Sequence, residues 1–73
     1  MKKYIEFEAI DNDGYGFYVT LQKKEIVAYA EIQEEYFNEE KSQWKNVECT
    51  EVITRNEAVY TANVPYDEFR RWF

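Results

Sequence analysis

Leu21 is the only leucine in the chain and Met1 the only methionine, whereas six Val, five Ile, four Thr and fourteen aromatic residues fill 29 of the 73 positions. Helix seams draw on long flexible side chains; half-buried pleated surfaces draw on β-branched and aromatic ones. The chain is therefore expected to be mostly sheet. Its aromatic content of 19% can bury enough surface to offset chain entropy, which excludes a disordered tail. A chain of this length hides only about 60% of its unfolded surface, so a single domain spanning residues 1–73 is expected, with little room for a deep cleft.

Alternation places the strands. Ile5, Phe7 and Ala9 fall on one face and Tyr4, Glu6 and Glu8 on the other, and Phe17, Val19 and Leu21 alternate in the same way against Tyr18 and Thr20. Between them Asp11-Asn12-Asp13-Gly14-Tyr15 has the chemistry of a hairpin turn. Residues 25–37 carry both a partial helical stripe and a strand alternation. A helix would set Glu31, Glu35 and Glu39 at like-charged i,i+4 spacings, so a strand is favoured. A four-residue turn at Glu39-Glu40-Lys41-Ser42 then pairs Phe37 with Trp44, Tyr36 with Lys45, Ile32 with Cys49 and Ala28 with Ile53.

A two-residue turn at Arg55-Asn56 continues the pattern, pairing Ile53 with Ala58, Cys49 with Ala62 and Val47 with Val64. On that reading Val47, Cys49, Glu51 and Ile53 point inward with Ala28 and Ala30, and Tyr4, Tyr18, Tyr29, Val52 and Val59 form an outward row. Lys23-Lys24 joins the second strand to the third, with Leu21 facing Ile26, although Lys-Lys suits a tight turn poorly. From Pro65 the period changes. Pro65 suits a first helical turn, with Asp67 and Glu68 at its positive end, Arg70 and Arg71 at its negative end, and Tyr66, Phe69 and Phe73 on one face. The expected fold is mainly β: a five-stranded antiparallel meander, an open curled sheet or a small barrel, with a short C-terminal helix.

Charge is confined to one stretch. Residues 1–24 and 52–73 are each formally neutral, and residues 25–51 hold eight Glu against Lys41 and Lys45, the whole net charge of −6. Such a field repels nucleic acid and anionic lipid and steers the chain toward basic surfaces. Lys2, Lys3, Lys23 and Lys24 come together at one hairpin end, too few to form a nucleic-acid groove. Charges break every apolar run, so neither a signal peptide nor a membrane span is read, and a cytosolic protein is expected.

The residue inventory argues against an enzyme. There is no His and only one Cys, Cys49, which leaves no disulfide, no zinc set and no usual general base. Cys49 is read as a small buried apolar residue. Gly14-Tyr15-Gly16 has no helix after it and is read as backbone freedom. Asp11-Asn12-Asp13-Gly14 begins like a calcium loop but lacks the bidentate Glu six residues after the glycine, where Thr20 stands. No cofactor, metal or catalytic residue is assigned.

The function expected is non-enzymatic: an acidic protein-binding module, an inhibitor that occupies a basic surface of a larger protein, with Glu31, Glu34, Glu35, Tyr36, Phe37, Glu39, Glu40, Trp44 and Glu48 as the binding residues. In size and charge the chain resembles the small acidic proteins that phages use against host nucleases and defence systems, anti-CRISPR proteins and DNA mimics among them. That likeness implies a partner with a nucleic-acid-binding groove and a site of action in the host cytoplasm. It carries no alignable motif. The alternative is a self-assembling module, a homo-oligomer built through the Tyr-rich row, a strand edge or the terminal helix.

Overall fold

The computed structural model describes residues 3–73; the expected approach of Lys2 to the other lysines lies outside them. Five strands, β1 (Tyr4–Ile10), β2 (Gly16–Gln22), β3 (Ile26–Asn38), β4 (Gln43–Thr54) and β5 (Val59–Ala62), form one open antiparallel sheet, followed by the short helix α1 (Tyr66–Phe69) and a 3-10 turn over Arg70–Trp72. The fold class is the one the composition implies.

The strand order is β2-β1-β5-β4-β3. β1 and β2 make the expected hairpin, and β3, β4 and β5 make the expected consecutive run. The two parts join through β1 and β5, at Ala9 opposite Ala62, both fully buried. The expected Leu21–Ile26 pairing does not form. Lys23–Glu25 is a 3-10 turn after β2, fixed at its two ends where Lys23 N–H donates to the Lys3 carbonyl and Arg55 N–H donates to the Glu25 carbonyl, 2.8 and 2.7 Å. Lys-Lys suits the positive φ of a two-residue hairpin turn poorly, and β2 and β3 are the sheet's two outer strands.

The register of β3 on β4 is the one the apolar pattern selects, Phe37 on Trp44 and Ile32 on Cys49 included. β5 is displaced by one residue: Ile53 faces Val59 instead of Ala58, Thr50 instead of Cys49 faces Ala62, and β5 ends before Val64. The turn holds three residues, Arg55-Asn56-Glu57, with Glu57 at φ 69°. The turn is anchored by Thr54, whose hydroxyl donates to Asn56 Oδ1 and accepts the Ala58 N–H at 3.2 Å.

The inward face of β4 is correspondingly the other one. Thr50, Val52 and Thr54 are buried, and Ala28 and Ala30 are exposed. A strand slip of one residue exchanges faces, and the terminal helix settles on the face that carries the larger rings. Val52 is fully buried and Tyr29 half-buried, so the expected outward row is broken; Tyr4, Tyr18 and Val59 remain exposed. The core consists of Ile5, Phe7, Ala9, Val52, Ala62, Val64 and Phe69. Phe69 is fully buried, with ring centroids of Phe7, Tyr29, Trp72 and Phe73 between 5.2 and 6.0 Å away.

Candidate functional site

The β3–β4 hairpin owes its length to uninterrupted pairing from Ala28–Ile53 to Asn38–Gln43. Its tip closes with Ser42 at φ 49° and Asn38 Oδ1 accepting the Lys41 N–H at 3.2 Å. Glu31, Glu34, Glu35, Glu39, Glu40 and Glu48 are all exposed. Opposed residues share a face of the sheet, which divides the expected binding residues in two. Glu31, Glu35 and Glu48 alternate with Phe37 and Trp44 on one face, Glu34 and Tyr36 lie on the other, and Glu39 and Glu40 occupy the turn. Among the described residues the one ion pair is Arg55 with Glu25, at 4.0 Å and outside the hairpin; the hairpin's carboxylates meet no cation of their own chain there.

The aromatic residues near the tip are fixed rather than free. Phe37 N–H donates to the Gly14 carbonyl at 2.9 Å, and the Phe37 ring lies between Tyr15 and Trp44, with centroids 5.6 and 5.3 Å away. Gly14 sits at φ 87°, and a Cβ there would overlap the Trp44 ring. The Asp11 carboxylate holds this turn by accepting the N–H groups of Asp13 and Tyr15, both at 2.9 Å. Trp44 still presents 55% of its surface to solvent.

Tyr36 makes a second anchor. Its hydroxyl donates to Glu8 Oε2 at 3.3 Å, while Asn63 Nδ2 donates to Glu8 Oε1 at 2.9 Å. The Glu8 carboxylate lies over Gly16, where a Cβ would collide with it. Partial burial, then the charge and hydrogen bond of Glu8, raise the Tyr36 pKa above its ordinary value. Gly16 therefore provides space, not the conformational freedom read from Gly14-Tyr15-Gly16. Glu8, Asn63 and the two glycines were not among the expected site residues: their partners lie many residues away in sequence, and only the glycines flanking Tyr15 hint at close packing.

Beside the tip a cleft of about 440 Å³ is lined by Glu8, Tyr15, Tyr36, Phe37, Glu39 and Glu40, among others. It combines carboxylates with ring faces, a lining suited to a cationic side chain. Cys49, on β4, is fully buried, and its burial, with the Glu34 charge second, pushes its thiol up to about 11. No group of His, Cys, Asp and Glu suited to a metal occurs among the described residues. Nor does any helix among them have the length and apolarity to cross a membrane. No protein-family model, curated protein or solved structure matches the chain.

Proposed function

We propose that the protein is a non-enzymatic binding module, an inhibitor that places its acidic β3–β4 hairpin on a basic surface of a larger protein, in the manner of a DNA mimic. The observation that carries the reading is the placement of the charge. The full formal excess of −6 falls within residues 25–51, and every hairpin carboxylate except the half-buried Glu51 is exposed to solvent. Exposed carboxylates in such density raise the rate of encounter with a basic groove, and Trp44 supplies a partly exposed ring that then slows departure. The cytoplasm, including that of a phage-infected host, is the compartment in which a basic nucleic-acid enzyme would be met.

The test is affinity capture from the native host lysate with the wild-type chain and with Glu34, Glu35, Glu39 and Glu40 all changed to Lys. A protein retained by the first, released by moderate salt and not retained by the second supports the reading. Equal retention by both contradicts it. Self-association, the second reading, predicts instead a sedimentation coefficient that rises with concentration and persists in salt.

A further inference from the structure

We infer that the open edge of β2 accepts one added strand, an extended basic segment of the partner protein; this rests on the proposed basic partner and specifies how it is held. β2 and β3 end the sheet on its two sides, so each has one row of backbone groups without a ladder partner. The two edges are tied together at both ends. At one, three residues connect them; at the other, Phe37 N–H reaches the Gly14 carbonyl and Tyr36 reaches Glu8. Between the ties β3 advances eleven residues, Ile26 to Phe37, and the β2 side eight, Gly14 to Gln22. At about 3.3 Å per residue those paths differ by roughly 10 Å, and between the ties the two edges stay unpaired with each other.

Proteins usually guard such an edge with charge, proline or a bulge. β2, Gly-Phe-Tyr-Val-Thr-Leu-Gln, has neither charge nor proline, and its ladder with β1 runs without a break. Phe17 and Tyr18 stand 42% and 78% exposed. Acids border the edge on both sides. From β1, Glu6 accepts the Thr20 hydroxyl at 3.2 Å and Glu8 lies over Gly16; from the other edge β3 contributes Glu31, Glu34 and Glu35, all exposed. An added strand would gain main-chain hydrogen bonds from β2 and would place alternate Lys or Arg residues among these carboxylates. A second copy fits less well, because its own Glu6 and Glu8 would enter the same acidic border.

The test uses the isotopically labelled protein and a short peptide of alternating Lys and Val. Amide exchange is followed with this peptide, with its Glu-Val counterpart, and with a Lys-Val peptide N-methylated on alternate residues. The inference predicts that only the first slows exchange within Phe17–Leu21, by about tenfold or more at saturation. Binding of the Lys-Val peptide with β2 exchange unchanged would overturn the strand addition and leave the acidic-arm reading standing. Failure of the peptide to bind at all would overturn the strand addition, while the acidic-arm reading would stand or fall with the capture experiment. Protection of β2 that appears on concentrating the protein alone would assign the edge to a second copy and also overturn the inference.

Discussion

The Tyr29 ring stacks on the Phe73 ring, centroids 5.3 Å apart and planes within 14° of parallel. Tyr29 also meets Tyr66 and Phe69, so one β3 side chain receives the whole aromatic face of the terminal segment. This contact sets which face of the sheet is the core. It also fastens β3, which carries Glu31, Glu34 and Glu35, to the body of the protein.

Phe69 is the centre of that cluster and has no exposed surface. Phe69→Ala removes a buried ring from a chain too small to close the cavity, and a loss of about 3–5 kcal/mol is expected. Urea denaturation followed by circular dichroism measures it. A loss below about 1 kcal/mol would mean that the terminal segment does not stabilise the sheet.

Thr50 is buried on β4, and its hydroxyl donates to the Val64 carbonyl at 2.9 Å, fixing the segment that leads into α1. Thr50→Val keeps the shape and leaves the buried carbonyl without this donor, at a cost of about 1–3 kcal/mol. Thr50→Ser restores the donor and should recover part of that stability in the same denaturation experiment.

Gly14 combines a positive φ with contact against Trp44. Gly14→Ala is expected to cost about 1–2 kcal/mol from backbone conformation alone, with the ring overlap added. In a Trp44→Ala background the overlap vanishes and only the backbone cost remains. A double-mutant cycle would show that coupling; strict additivity would place the Trp44 ring elsewhere.

The β3–β4 register was legible because each opposed pair matched side chains over many positions, from Phe37–Trp44 to Ala28–Ile53. The displacement of β5 was not. A three-residue turn needs one left-handed residue, usually glycine or asparagine, and here Glu57 takes that role, leaving no compositional mark. The face of β4 followed from the same slip, since Val52 and Ile53 are equally apolar neighbours. For the candidate site, the acids were legible from charge alone. The docking of Phe37 and Tyr36 onto Gly14 and Glu8 depends on the order in which strands join, which local alternation does not encode.

Alkaline pH should destabilise the fold. Cys49 titrates near 9.0 when unfolded and is pushed up to about 11 when buried, so its contribution is complete below pH 9 and is lost as pH rises from 9 toward 11. Tyr36, also raised, adds a loss above pH 10. Denaturation of Cys49→Ala at pH 7 and pH 10 should show a smaller alkaline loss than wild type. A thiol reagent should label Cys49 only as the protein unfolds.

The central claim is that the acidic hairpin binds and does not merely solubilise. It is tested most directly by association and dissociation rates, at low and physiological salt, with the protein captured by the wild-type chain. Changing Glu34, Glu35, Glu39 and Glu40 to Lys should leave the circular dichroism spectrum intact, lower the association rate by at least about tenfold at low salt and flatten its salt dependence. Trp44→Ala should act mainly on dissociation. Unchanged association by the folded charge-reversed protein would contradict the account.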